Sequence, residues 1–355
     1  MNSVFVYIEI ENSCKVAEVS LELLTKGRML ANKLGVNLEC VAIGSFGETS
    51  KANLAENIAQ YGADVLHIFD DAKLFPYTTL PHTSIIVKLF QEEKPQICLM
   101  GATVIGRDLG PRVSSALGSG LTADCTQLEI DDFDMKVKNE EGDFVSKHYE
   151  NQLMQIRPAF GGSIMATIVN PEHRPQMATV RSGVFGKETI EGRDTKTMKV
   201  VCHNVNDYVS DTDFVVKVLD RHVEAAKHNL KGANIVVAGG YGVGSKEGFD
   251  LLFDLAKEIH AEVGASRAAV DAGWISHNRQ IGQTGLTIRP KVYIACGISG
   301  AIQHIAGMKD SGIIISINSD PLAPITKIAD YNIVGTIEDV LPKLIKHYKS
   351  QHQGV

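Results

Sequence analysis

No C-x-x-C pair occurs anywhere in the 355 residues. The six cysteines, Cys14, Cys40, Cys98, Cys125, Cys202 and Cys296, stand far apart and mostly within or beside apolar segments. That argues against a zinc ribbon, an iron–sulfur cluster or a disulfide framework, and predicts reduced, buried thiols. No apolar run approaches the length of about 18 residues that a membrane span needs, so no membrane insertion is expected. Met1 runs straight into Val4, Phe5, Val6, Tyr7 and Ile8 without a basic or Arg/Ser-rich leader, and a cytoplasmic location is the expectation. An excess of positive charge is missing too: 35 Lys and Arg face 42 Asp and Glu, a formal −7, with no basic stripe. Nucleic acid is therefore not an expected partner.

What is present is ordinary globular material, 44% hydrophobic and 22% charged, in a chain long enough for two domains. Residues 3–11 read as a buried strand, and Val16, Val19, Leu23, Leu30 and Leu34 follow at helical spacing. The step repeats: strand at Val41–Ile43, helix at Asn53–Tyr61, strand at Val65–Phe69, helix at His82–Phe90, strand at Ile97–Met100. Such alternation predicts a mostly parallel sheet covered by helices. Gly106-Arg107-Asp108-Leu109 opens another helix, with Pro111 expected near its first turn. From about 126 to 185, alternation broken by Asn139-Glu140-Glu141-Gly142-Asp143 and Gly161-Gly162 predicts antiparallel hairpins added to that sheet. Weak periodicity across 186–230 marks the domain junction. A second α/β unit starts at Ile235-Val236-Val237-Ala238, continues with a helix bearing Phe249, Leu252, Phe253, Ala256 and Ile259 on one face, and adds strands at Val292–Ala295 and Ile313–Ile317. Pro342 is expected in the first turn of a closing helix that carries Leu344 and Ile345.

Several stretches of the second unit could carry chemistry. Gly239 to Gly244 is a glycine-rich turn between strand and helix, either a phosphate loop or a tight structural turn. It is not a Walker A loop, and Gly240, Gly242 and Gly244 miss the G-x-G-x-x-G spacing. Arg267, set among small residues, is either paired with Asp271 one helical turn on or held ready for a ligand. Gly282-Gln283-Thr284-Gly285 is either a polar turn or a set of hydrogen-bonding groups for a planar heterocycle. Ile294 to His304 reads as a strand breaking at glycine into a helix whose first turn presents Ser299, a natural seat for a pyrophosphate, while His304 could equally be a satisfied core histidine. Asn318-Ser319-Asp320-Pro321 falls at the carboxyl edge of the same sheet, where ligands of open α/β sheets bind. No separate nucleophile, paired acid and base or metal set stands out, so no catalytic or metal-binding residue is assigned.

Together these pieces resemble the electron-transfer flavoprotein α-subunit family. The resemblance is carried by Val292–Ala295 through Gly300-Ala301-Ile302-Gln303-His304, by Gly307-Met308-Lys309-Asp310, and by Asn318-Ser319-Asp320-Pro321 with Ala323-Pro324-Ile325. Gly264 to Gly273 and Gln283-Thr284-Gly285 match at similar intervals. In the first half, Gly101-Ala102-Thr103 with Gly106-Arg107-Asp108, Arg157-Pro158-Ala159-Phe160-Gly161-Gly162, and Arg174-Pro175-Gln176-Met177-Ala178-Thr179-Val180-Arg181 agree as well.

The resemblance implies an α/β fold with an N-terminal adenine-nucleotide-hydrolase-like domain with added hairpins over 1–205, a junction at 206–230, and a C-terminal Rossmann-like parallel-sheet domain over 231–355 that binds FAD. It implies a heterodimer with an electron-transfer flavoprotein β subunit, exchanging electrons with an acyl-CoA or other flavin dehydrogenase. The chain is then an electron carrier, enzymatic only as part of a larger complex. Carried over by position, Ser299, Gly300, Ala301, Ile302, Gln303 and His304 serve the pyrophosphate-to-flavin side, with His304 a donor near the flavin pyrimidine carbonyl. Ser266 and Arg267 lie against the ring, Ile281, Gly282, Gln283, Thr284 and Gly285 contact the ring or ribityl chain, and Asn318 stands by the adenosine. Two positions depart from the pattern: Tyr241 replaces a common arginine in the glycine-rich turn, and Thr336 replaces an acidic residue near the adenine end. Whether the complex is an ordinary carrier or a bifurcating one is left open, the stretch Ser276-His277-Asn278-Arg279 fitting a bacterial, anaerobic version. The alternatives are an NAD(P)-dependent dehydrogenase or transhydrogenase-like protein, against which the glycine spacing speaks, and a regulatory nucleotide-binding module.

Overall fold

Parallel strands covered on both faces need apolar residues at every position, and β1 (Ser3–Ile8) is buried along its whole length. In the computed structural model, which describes residues 3–11, 15–138, 143–159, 164–193, 195–220, 229, 230 and 232–352, that strand is central to the first of two compact units. This unit takes the described residues up to 220, and the second takes those from 229 onward.

Along β1 the side chains alternate between two cores. Val4, Val6 and Ile8 join one cluster, while Phe5 and Tyr7 join the other, as the two-residue period of a strand requires. Helix α1 (Glu18–Leu34) ends at Gly35, whose φ of 67° caps it in the left-handed region. Then come β2 (Asn37–Gly44), α2 (Glu48–Gln60), β3 (Val65–Asp70), α3 (Thr79–Glu93), β4 (Ile97–Gly101), α4 (Val104–Leu117) and β5 (Leu121–Cys125). Two long strands, β6 (Gln127–Lys138) and β7 (Phe144–Ala159), pair antiparallel, and β8 (Ile164–Ile168) extends them into a three-stranded sheet. The expected turns at Asn139–Gly142 and Phe160–Gly162 lie outside the described residues, as does Cys14.

Strands β9 (Gln176–Val180) and β10 (Lys199–His203) then return to the parallel sheet, whose order is β10-β3-β2-β1-β4-β9-β5. Two expectations are corrected here. Residues 176–180 belong to the parallel sheet instead of the hairpins, because fully buried Gln176–Val180 fills the slot between β4 and β5. The weakly periodic stretch after 186 supplies an edge strand, β10, paired with β3. A buried polar chain ties it down: His203 Nε2 lies 2.9 Å from His67 Nδ1, and His67 Nε2 lies 3.0 Å from the Glu39 carboxylate.

The second unit holds β11 (Ile235–Gly239), α5 (Gly248–Glu258), β12 (Glu262–Ala265), the single turn α6 (Arg267–Asp271), β13 (Val292–Cys296), the short α7 (Ile302–Ile305), β14 (Ile313–Asn318), β15 (Tyr331–Val334) and α8 (Ile337–His352). All five strands are parallel, in the order β12-β11-β13-β14-β15. On α5, Phe249, Leu252, Leu255 and Ala256 are buried, whereas Phe253 is 40% exposed under the Arg279 guanidinium, so Phe253 does not share the core face expected of it. Neither proline sits in a first turn: Pro111 lies in the middle of α4, and Pro342 lies past the first turn of α8. Both are on the solvent side, where water can serve the carbonyls they leave unbonded. Cys40, Cys98, Cys125 and Cys296 are buried free thiols as expected, but Cys202, on the edge strand, is exposed. Among the described residues no helix is long and apolar enough to cross a membrane.

Candidate functional site

In the second unit the chain leaves β11 toward β12 on one side and returns to place β13 on the other. The loops that follow β11 and β13 therefore face each other across the carboxyl edge of the sheet, at the switch point where ligands of such sheets bind. Their backbones touch. The Gly240 N–H donates to the Cys296 carbonyl at 2.8 Å, and the Gly242 N–H donates to the Gly297 carbonyl at 2.9 Å. A Cβ on Gly240 would stand 2.2 Å from the Gly297 carbonyl oxygen, and Gly297 itself has a φ of 59°. The glycine-rich turn is thus a packing device first.

A cleft of about 660 Å³ opens beside this contact, within the size range of small-molecule sites. From the β12 edge, Ser266 and Arg267 line it. The following loop adds Ile281, Gly282, Gln283 and Thr284, the loop after β13 adds Ser299 and Ala301, α7 adds Gln303 and His304, and β14 ends in it at Asn318. Three of the expected residues do not reach the cleft wall. Gly300 has a φ of 88° and its hydrogens face the backbone of Ile325; Gly285 is packed on the Gln280 carbonyl; Ile302 opens α7 with its side chain largely in solvent. The expected helix presenting Ser299 in its first turn is also corrected, since α7 begins only at Ile302 and Ser299 belongs to the loop before it.

That loop carries an unsatisfied demand. The N–H groups of Ser299, Gly300 and Ala301 meet no acceptor among the described residues. Ser299 and Ala301 line the cleft on either side of Gly300, and unpaired backbone donors in a concave wall attract an anion. Across the cleft, the Arg267 side chain bonds Asp271 at 3.2 Å, with both side chains mostly exposed. The ion-pair reading of Arg267 therefore holds, and the cation lines the cleft as well. The Thr284 hydroxyl oxygen accepts from Gln280 at 2.9 Å, which leaves its proton free to point elsewhere. Asn318 is committed to holding loops together: its amide donates to the Ile298 carbonyl at 2.8 Å and its oxygen accepts from the Asp320 N–H at 3.0 Å.

His304 differs from expectation. Its Nδ1 lies 3.1 Å from the Ile281 carbonyl and its Nε2 lies 2.8 Å from the Tyr293 hydroxyl. A carbonyl only accepts, so Nδ1 carries the proton and Nε2 receives one from Tyr293. Burial lowers its pKa to about 4 and keeps the ring neutral. Its one N–H is thus already spent, and the donor role expected of it is not available in this arrangement.

Sequence reasoning assigned no binding role to Tyr241, Gln280, Ile298 or Ala323, yet all line the cleft, as does Asp320 from the expected carboxyl-edge segment. Each sits at or just beyond the carboxyl end of a strand or its partner loop, which was the available signal. Tyr241 stacks on Trp274, ring centres 5.1 Å apart. Thr336, by contrast, caps α8 by accepting from the Asp339 N–H and does not line the cleft.

Residues 4–206 match the electron transfer flavoprotein domain, and residues 229–309 match the electron transfer flavoprotein FAD-binding domain. The chain is 49% identical over 348 residues to protein FixB of Clostridium saccharobutylicum, covering 98% of this chain and 96% of that one. It is 46% identical to the electron transfer flavoprotein subunit alpha of Thermoanaerobacterium thermosaccharolyticum, covering 98% and 97%. The acryloyl-CoA reductase electron transfer subunit beta of Anaerotignum propionicum is 41% identical, with 94% and 92% covered.

Proposed function

Because the chain belongs to the electron transfer flavoprotein family, on its α-subunit side, we propose that the cleft of the second unit holds the FAD through which it passes electrons between partner proteins. The observation that carries this reading is the row of unpaired N–H groups at Ser299, Gly300 and Ala301. A pyrophosphate supplies the acceptors that those donors lack.

Bound flavin would supply reversible electron storage, and the chain's own residues would bind and tune it. Arg267 sets a positive charge beside the ring, which favours whatever charge the ring gains on reduction. Thr284 offers its free hydroxyl proton to the ring or ribityl chain. The neutral His304, fixed by Tyr293 and Ile281, acts as a rigid wall and positions the loop at Gln303, whose carbonyl accepts the Gln283 N–H at 2.7 Å. Asn318 positions the β13 and β14 loops on the adenosine side. Gly282, Gln283 and Ser266 complete the contacts. On this reading the domains run over 1–205 and 231–355, with 206–230 joining them.

A β-type subunit is the proposed partner. Phe144 and Val145 at the start of β7, and Ile164 and Met165 of β8 beside its far end, are exposed apolar residues that the antiparallel sheet offers to such a partner. A relative named as the electron transfer subunit of acryloyl-CoA reductase supports a dehydrogenase or reductase of CoA thioesters as the electron source or sink. The chain by itself is then a carrier, in the cytoplasm, and enzymatic only within the larger complex.

Co-expression with a β subunit followed by flavin counting tests the reading. About one FAD released per α chain is expected from the second-unit cleft. A preparation that stays colourless after incubation with excess FAD would overturn it, and tight NADH binding to the chain alone would favour a nicotinamide-dependent protein.

A further inference from the structure

The first unit has a cavity of its own, about 260 Å³, that electron carriage through the other unit does not use. Tyr7 and Ile43, near the carboxyl ends of β1 and β2, line it together with Ile105 at the start of α4. The sheet reverses direction here, since β2 leaves β1 on one side and β4 flanks it on the other. This is the first unit's own switch point.

Two polar groups of the wall have no hydrogen-bond partner within the chain among the described residues. The Tyr7 side chain is 3% exposed, and its hydroxyl meets no partner among the described residues. His82 is 2% exposed and donates Nδ1–H to the Thr78 carbonyl at 3.0 Å. Its Nε2 is therefore a lone-pair acceptor, again with no partner among the described residues. Burial lowers the His82 pKa to about 4, so the ring stays neutral and keeps that lone pair. Both residues line the cavity, and much of the remaining wall, Ile10, Leu74, Phe75 and Ile105 among it, is apolar. An apolar slot with one donor-acceptor hydroxyl and one acceptor nitrogen suits a flat heterocycle that carries both kinds of group on its edge.

Charge limits the choice. At the start of α4, where an anion would settle, Thr103 accepts the Gly106 N–H at 3.0 Å and donates to the Glu9 carboxyl at 2.5 Å. That position is already filled from within the chain. On the other side, Tyr77 lines the cavity and donates to the Asp108 carboxylate at 2.8 Å. A phosphate would meet acidic groups on both sides.

We propose that the first-unit cavity binds a neutral nitrogen heterocycle of the nucleobase or nucleoside type, with a ligand N–H donating to His82 Nε2 and the Tyr7 hydroxyl donating to a ring nitrogen or carbonyl. A phosphate on the same ligand weakens binding. The site is independent of the flavin cleft, because its residues belong to the other unit.

Calorimetric titration of the full chain with adenosine, adenine and AMP tests this, in saturating FAD so that the second-unit cleft is blocked. Adenosine or adenine is expected to bind saturably, and AMP at least about 5-fold more weakly. Tyr7→Phe, which removes one oxygen, is expected to weaken adenosine about 5-fold, the loss of one net hydrogen bond. The ¹⁵N resonance of His82 Nε2 in the unaltered chain should move on saturation, a readout that stands even where the variant folds poorly. Absence of saturable binding by all three compounds overturns the proposal, as does unchanged affinity in a folded Tyr7→Phe chain or AMP binding as tightly as adenosine. Failure of FAD to bind would count only against the flavin cleft, and the Tyr7→Phe comparison would still decide the first unit.

Discussion

The Tyr293 hydroxyl, fully buried in β13, donates at 2.8 Å to the lone pair of His304 Nε2, the nitrogen left unprotonated because the Ile281 carbonyl takes the Nδ1 proton. Tyr293→Phe leaves that nitrogen buried without a donor. A cost of about 1–2 kcal/mol is expected, read as a fall of about 2–6 °C in the unfolding temperature. The His304 Nε2 ¹⁵N shift should move as that nitrogen loses its donor, while Nδ1 stays protonated on the Ile281 carbonyl. An unchanged melting temperature would mean that the hydroxyl contributes nothing.

Much of this arrangement could be read from the sequence, and the parts that could not share a cause. β11 and β13 are apolar runs followed by glycines that announce their turns, and β14 is an isoleucine-rich run ended by Asn318-Ser319-Asp320-Pro321. β12 is four residues, Glu262-Val263-Gly264-Ala265, and β15 is Tyr331–Val334 with mostly exposed side chains. Neither shows a period long enough to recognise, and both are strands only because a neighbouring strand supplies their hydrogen bonds. β10 escaped notice for the same reason, its polar His203 being held by His67 from a strand more than a hundred residues earlier. The motif around His304 named the residue correctly for the cleft. Its state depends on Tyr293 and Ile281, and partners that far apart in sequence are not legible from a local pattern.

Gly297→Ala tests the contact between the two loops. At a φ of 59° the new Cβ would stand 2.6 Å from the Gly242 carbonyl carbon, so backbone would have to move on both sides. A destabilisation of about 2–4 kcal/mol is expected from the combined strain and overpacking. FAD affinity should fall with it, because the row of free N–H groups begins two residues later. Retained affinity with full stability would show that the loops do not need this close approach.

Arg267 and Asp271 should shift the flavin potential in opposite directions. Removing the cation with Arg267→Ala withdraws stabilisation from the charged, reduced ring, so the midpoint potential falls; Asp271→Asn removes the opposing charge and raises it. For a two-electron couple the shift is about 30 mV per tenfold change in relative affinity for the reduced form. Stability should hardly change, since both side chains are mostly exposed and such pairs contribute about 0–1 kcal/mol. Potentiometric titrations that coincide for all three proteins would remove Arg267 from the ring.

Trp274 is the only tryptophan in the chain and stacks on Tyr241 at the mouth of the cleft. Tyr241→Ala should leave the indole wetter and shift its emission to longer wavelength. The flavin, if it lies against Tyr241, should become more fluorescent in the variant, because an electron-rich ring at contact distance would have been removed. Equal flavin emission in the two proteins would place the ring elsewhere in the cleft.

His82 and His304, one in each unit, make the acid side of the stability curve predictable. Burial lowers both pKa values from about 6.5 in the unfolded chain to about 4. Between those values the unfolded state binds more protons than the folded one, so stability falls as pH is lowered through about 6.5 and the loss from these groups levels off near pH 4. Above 6.5 both rings are neutral in either state and contribute no slope. The size is on the order of 3 kcal/mol per ring across the window. Because the rings belong to different units, urea titrations at pH 7 and pH 5 should show both transitions moving to lower midpoint together. Tyr293→Phe should lower only the second unit's midpoint, and added FAD should raise that same transition. A first-unit transition that also responds to FAD would contradict the assignment of the cofactor to the second unit.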